Sequence, residues 1–167
     1  ILRVTRAYRN YEFHLVYHSI HNFCTVDMSA IYFDIIKDRL YTSHQESQER
    51  RAAQTVMYDV IQSLVRILSP ILAFTSEEMW RYLKRDGDQE SVQLAGWPSA
   101  EESTQDPELE AKWERIFKVR EVVAKALEEA RRSKIIGHSL GASVQLVVSS
   151  DWINDLRSVP DLDKIFI

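Results

Sequence analysis

Ala53, Val56, Met57, Val60, Ile61, Leu64 and Leu68 recur at spacings of three, one, three, one, three and four. Only an α-helix gathers residues so spaced onto one face, and Pro70 stops that helix because it can neither donate a backbone hydrogen bond nor clear the preceding turn. A helix this long and one-sided needs a partner surface, and the neighbouring sequence offers several. Phe13, Val16, Tyr17, Ile20, Phe23 and Cys24 form a similar stripe, predicting a first helix from about Leu2 to Phe23. Ser29 is placed to cap a second helix that carries Ile31, Tyr32, Ile35 and Ile36 and ends near Lys37 to Tyr41. A polar loop from Thr42 to about Ser47 then leads into the long third helix.

Thr75-Ser76-Glu77-Glu78 has the Thr-x-x-Glu pattern of a reciprocal helix cap, so a fourth helix with Met79, Trp80 and Leu83 is expected to begin there. Residues 86–106 read as an extended connection lying over the bundle, interrupted by Gln93-Leu94 and Trp97-Pro98. From Pro107 a fifth helix should bury Trp113, Ile116, Phe117, Val123, Leu127 and Ala130, with Gly137 marking its end. The character then changes: Val144 to Val148 is short and β-branched, Trp152 to Leu156 suits a brief helix, and Ile165-Phe166-Ile167 is again strand-like. With only four Gly and four Pro among 167 residues there is little turn chemistry for an all-β fold. The expected fold class is therefore mainly α, a helical bundle over 1–135 with a small partial α/β appendage over 136–167.

Much chemistry is excluded. The lone Cys24 makes no internal bridge and argues for a reducing, cytoplasmic setting. No run of about 18 apolar residues could span a membrane. The opening Ile-Leu-Arg-Val-Thr-Arg looks like the interior of a helix, which suggests a piece of a longer chain. Glycine-rich phosphate loops, Gly-x-Ser-x-Gly elbows, His-Glu-x-x-His and paired-cysteine spacings are all missing, so no catalytic residues and no cofactor are expected within the chain. Glu77 and Glu78 are explained as cap and helix-dipole partners rather than acid-base carboxylates. His14, His18 and His21 lie within roughly 60° of each other on the first helix but span about 10 Å of its axis, too far to share one metal ion. With Arg3 they form either a polar rim or a face for RNA.

The formal charge of −4 is not that of a free-standing nucleic-acid binder, but it is unevenly spread. Residues 1–85 hold 11 Lys and Arg against 9 Asp and Glu, and residues 86–167 hold 10 against 16. A polyanion should prefer the first part. There Lys37, Arg39, Arg50 and Arg51 flank one loop, with Tyr41 and Gln54 close by. Cations with an aromatic ring among them suit a single-stranded RNA loop, in which phosphates take the charge and unstacked bases take the ring. The alternative is a solvated junction neutralised by Asp34, Asp38 or Glu49.

Read as strings, these segments resemble the anticodon-binding domain of class I aminoacyl-tRNA synthetases, and within them the bacterial isoleucyl-tRNA synthetases. The similarity is carried by Tyr11-Glu12-Phe13-His14, His21-Asn22-Phe23, Asp27-Met28-Ser29, Tyr32 to Tyr41, Arg50-Arg51 with Gln54-Thr55, Leu68 to Leu72, and Phe74 to Trp80. It is dense over about 5–98 and resumes at Glu129 to Arg132 and Ile136 to Ala142, where Gly141 and His138 depart from the family's usual Glu and basic residue. The resemblance implies a tRNA partner, isoleucine tRNA held by its anticodon arm, contacted through Arg3, Lys37, Arg39, Tyr41, Arg50, Arg51 and Gln54. It also implies a parent enzyme that uses ATP to activate isoleucine in a catalytic domain outside this chain. Valyl- and leucyl-tRNA synthetases share the bundle and remain alternatives, as does a helical scaffold for a protein partner.

Overall fold

The computed structural model of the chain describes residues 1–100, 105–160 and 162–166. Its elements are helical: α1 (Leu2–Arg9), α2 (Phe13–Asn22), a π-helical segment (Phe23–Tyr32), α3 (Phe33–Tyr41), α4 (Gln48–Leu68), α5 (Ala73–Leu83), α6 (Pro107–Arg132), a 3₁₀ turn (Ser139–Gly141), α7 (Ser150–Arg157) and α8 (Leu162–Phe166). They fall into two compact units, Ile1–Glu101 and Glu102–Ile167. That division differs from the one drawn by composition at 135/136, because α6 packs against α7 and α8.

In the first unit the expected opening helix is two. After Arg9 the chain turns through Tyr11, which adopts φ 58°. The Tyr11 N–H donates to Tyr8 O at 3.1 Å and the Glu12 N–H to Ala7 O at 2.9 Å, the paired bonds of a Schellman cap. Such a cap needs a left-handed residue, and here an aromatic supplies it where glycine would be less strained. Val4 and Ala7 of α1, Val16 and Ile20 of α2 and Ile67 of α4 form one buried cluster. Phe13 and Tyr17, expected in that stripe, are half exposed.

The second helix is not started by Ser29. From Phe23 to Tyr32 the winding loosens to π and passes into α3 without a break, so Ser29 lies inside a helix. Ser47, in contrast, caps α4 with extended backbone and accepts the Arg50 N–H. α4 then buries Val65 under Trp80 of α5 and Val92 of the following connection. Polar bonds lock the pair: Tyr58 donates to Leu83 O at 3.0 Å, Gln62 Nε2 donates to the Tyr58 hydroxyl at 2.7 Å, and the Arg85 guanidinium lies 3.9 Å above the Tyr58 ring.

α5 begins at Ala73, so Thr75 is interior to it and the expected Thr75–Glu77/Glu78 cap does not form. Glu77 does something else. Its Oε2 accepts from Ser91 Oγ at 2.7 Å and from Val92 N at 3.1 Å, drawing the connection over the bundle. Farther along, the Trp97 indole donates to Thr5 Oγ1 at 2.8 Å and its ring meets Tyr8 edge-on.

In the second unit Asp106 caps α6 through the Leu109 N–H, with Pro107 at the first helical position. Ile116, Val119, Val123 and Leu127 form its buried face. Arg115 pairs with Asp155 of α7 at 2.6 Å, and Arg120 Nε donates to Ile165 O at 2.8 Å. α6 ends at Arg132, five residues before the expected Gly137, at a second Schellman cap whose left-handed residue is Lys134 (φ 57°). No strand occurs among the described residues. Val144 to Val148 runs without a ladder partner, and Ile165 and Phe166 are helical and buried. The α/β character expected of the appendage is thus corrected to helix and irregular chain: β-branched residues favour a strand only where a neighbouring edge supplies its hydrogen bonds.

Candidate nucleic-acid interface

The loop between α3 and α4 is short because both ends are tied. Thr42 N donates to Asp38 O at 2.8 Å, and the Arg50 guanidinium donates to Ser43 O at 3.1 Å. Six of the seven residues singled out from the sequence flank this loop or the first turns of α4, yet they face different ways. Tyr41 is 85% exposed, and Arg51 and Gln54 are exposed as well. Lys37 is exposed but holds Asp34 at 2.9 Å, a surface pair of the kind that contributes little and can be exchanged for a phosphate.

Arg39 and Arg50 turn inward. Each has its Nε buried without a hydrogen-bond partner among the described residues. Arg39 lies near Tyr32, whose hydroxyl is pushed up by burial and partly pulled back by the Arg39 charge. Arg50 spends its guanidinium on the loop carbonyl. These two arginines are tied into the junction, and its exposed side chains are Lys37, Tyr41, Arg51 and Gln54.

Gln54 opens onto an apolar groove of about 480 Å³ that it shares with Cys24, Met28, Phe33, Met57 and Ile61. Burial raises the Cys24 thiol pKa. A larger groove, about 890 Å³, runs between α1, α2 and α4 and shares Val60 and Leu64 with the first. Much of the α4 stripe that first identified the helix lines these grooves, while its most deeply buried residues are Ala53, Val65 and Ile67.

Arg3 lines the large groove together with His18, His21, Asp27 and Asp59. Asp59 is about 12 Å along α4 from Arg51 by helical rise, so the structure does not bring Arg3 to the loop. It does bring it to two residues that the sequence reading passed over. Arg3, Arg6 and Arg9 are all exposed on α1, whose buried residues are Val4 and Ala7. Their spacing of three, with no acid before Glu12, was a visible signal. Beyond Arg9 stands Tyr11, 81% exposed and edge-packed on Phe13 with ring centroids 6.3 Å apart.

Among the described residues no helix is long and apolar enough to cross a membrane. Comparison with known proteins adds the family context. A family model described as the anticodon-binding domain of tRNA ligase matches residues 1–146. An isoleucine-tRNA ligase of Syntrophomonas wolfei is 57% identical over 167 residues, covering 100% of this chain and 18% of that protein. One from Carboxydothermus hydrogenoformans is 58% identical over 151 residues, covering 90% and 16%. One from Natranaerobius thermophilus is 51% identical over 166 residues, covering 99% and 18%. The chain therefore spans less than a fifth of the length of these curated relatives.

Proposed function

Because the chain belongs to the family of anticodon-binding domains of tRNA ligases, we propose that it holds the anticodon arm of isoleucine tRNA for a parent isoleucine-tRNA ligase in the cytoplasm. The observation that carries this reading is the family match over most of the chain, together with whole-chain identity to relatives of that name. ATP and isoleucine are bound and joined by the parent's catalytic domain. This chain contributes position: it fixes one end of the tRNA so that the distant acceptor end reaches that domain, and it needs no cofactor of its own.

At the α3–α4 junction Lys37 and Arg51 meet phosphates and the exposed Tyr41 ring stacks on a nucleobase. Arg39 and Arg50 support that surface from behind, and Gln54 lies exposed beside it. Titrating labelled isoleucine tRNA with the chain at several salt concentrations tests the proposal. Affinity should fall as salt rises, and Arg51→Gln should flatten the log–log slope by about 0.7 to 0.9. Tyr41→Ala should cost on the order of 1 to 3 kcal/mol with little salt dependence. Salt-independent binding, or none, would favour the protein-scaffold alternative.

A further inference from the structure

We infer that the exposed face of α1, from Arg3 through Arg6 and Arg9 to Tyr11, is a second RNA-binding surface, on which the arginines take successive phosphates and the Tyr11 ring takes a nucleobase. This rests on the tRNA-binding reading and adds a place and residues to it.

Charge supplies the first argument. Residues 34–51 hold Lys37, Arg39, Arg50 and Arg51, but also Asp34, Asp38, Glu46 and Glu49, so the α3–α4 junction is formally neutral. Residues 1–26 hold Arg3, Arg6 and Arg9 against Glu12 alone. None of the three arginines has an acidic partner among the described residues. Arg3 shares its groove with Asp27 and Asp59, whose charge tempers its attraction for a polyanion, whereas Arg6 and Arg9 do not line that groove.

Geometry supplies the second. At about 100° and 1.5 Å per residue the three arginines fan over roughly 120° of helix surface and 9 Å of axis, with Arg6 and Arg9 directed away from Val4 and Ala7 and Arg3 at the edge of the buried side. α1 is held rigidly behind them. Val4 and Ala7 are 5% and 2% exposed, Thr5 is bonded to the Trp97 indole, and Tyr8 donates to Ile67 O at 2.9 Å while its ring contacts those of Phe13 and Trp97. A row of charges on a fixed helix is pre-organised for an equally regular row of phosphates.

The third argument is the backbone at Tyr11. A non-glycine residue with φ 58° is strained, and an aromatic has no side-chain bond with which to offset the strain. The fold does not need the ring there: a glycine would make the same Schellman bonds, and Tyr11 is 81% exposed, its one ring contact among the described residues being the edge of Phe13. An exposed ring at a strained turn, at the end of an arginine row, fits an aromatic platform for an unstacked base or an exposed terminal base pair.

The test titrates transcribed isoleucine tRNA with the parent chain and three variants across salt. Arg3→Gln/Arg6→Gln/Arg9→Gln should weaken binding and lower the slope of log affinity against log salt by about 2 to 3 for three contacts. Tyr11→Gly should weaken binding about 5- to 150-fold with the slope unchanged, while melting at or above the parent's temperature. Lys118→Gln/Lys125→Gln/Lys134→Gln removes the same charge from exposed positions of α6 and its cap and should leave the slope near the parent's. An α1 triple variant with the parent's affinity and slope overturns the inference, as does an equal loss in the α6 variant, which would mark a generic charge effect. Parental affinity in Tyr11→Gly removes the base platform. Absence of binding by the parent chain refutes the tRNA reading beneath both.

Discussion

Thr75 and Glu77 separate two accounts of how α5 is built. If the Thr-x-x-Glu string caps the helix, Thr75→Ala removes a cap and costs about 1 kcal/mol, within a range of 0.5 to 2. In the structure Thr75 is the third residue of α5 rather than its cap, exposed and without a side-chain hydrogen bond among the described residues, so alanine should be neutral or stabilising by up to about 0.7 kcal/mol from helix propensity. Glu77 carries the opposite expectation. Its carboxylate accepts two hydrogen bonds from the connection, at 2.7 and 3.1 Å. Charge-assisted bonds contribute about 1.5 to 3 kcal/mol each when well shielded, and the lower end applies because Ser91 can regain water. Glu77→Ala should therefore cost about 3 kcal/mol, leaving the Val92 N–H without its acceptor beside a side chain that is 3% exposed. Glu77→Gln keeps one neutral acceptor and should cost about 1 to 2 kcal/mol. Urea unfolding of the parent and three variants, followed by circular dichroism and tryptophan fluorescence, measures all of these. The reasoning fails if Thr75→Ala loses 1 kcal/mol or more while Glu77→Ala stays within a few tenths of the parent.

Two further outcomes are expected. Lys134→Gly should raise stability by about 0.5 to 1 kcal/mol, because glycine occupies the left-handed end of α6 without the Cβ clash; a lower unfolding midpoint would contradict that cap. Burial raises the folded pKa of Tyr8 above its ordinary 10.0, so the stabilisation linked to its proton is complete below about pH 10 and is lost as pH climbs through the folded value. Tyr8→Phe should cost about 1 kcal/mol at neutral pH through the lost bond to Ile67 O and should blunt the alkaline loss, and an unchanged fall between about pH 9 and pH 11 would count against it.

The sequence by itself determined that the chain is helical, where α4 and α6 lie, and that its strings resemble a synthetase anticodon-binding domain. These are local properties. A 3.6-residue period, Ser47 before α4 and Asp106-Pro107 before α6 act within a turn or two of themselves, so they are legible without neighbours. Tertiary structure decided the rest. Whether Thr75 caps or Glu77 latches depends on a connection 14 residues away reaching the carboxylate. Whether Val144 to Val148 becomes a strand depends on an edge to pair with, and none is present among the described residues. The three arginines and the lysine of the loop look equivalent in a string, yet packing near Tyr32 and a bond to Ser43 turn Arg39 and Arg50 inward. The α1 row shows the converse. Its three arginines were plain in the sequence, but only the burial of Val4 and Ala7 and the left-handed turn at Tyr11 made them one outward face, because direction is set by what the opposite side of a helix packs against.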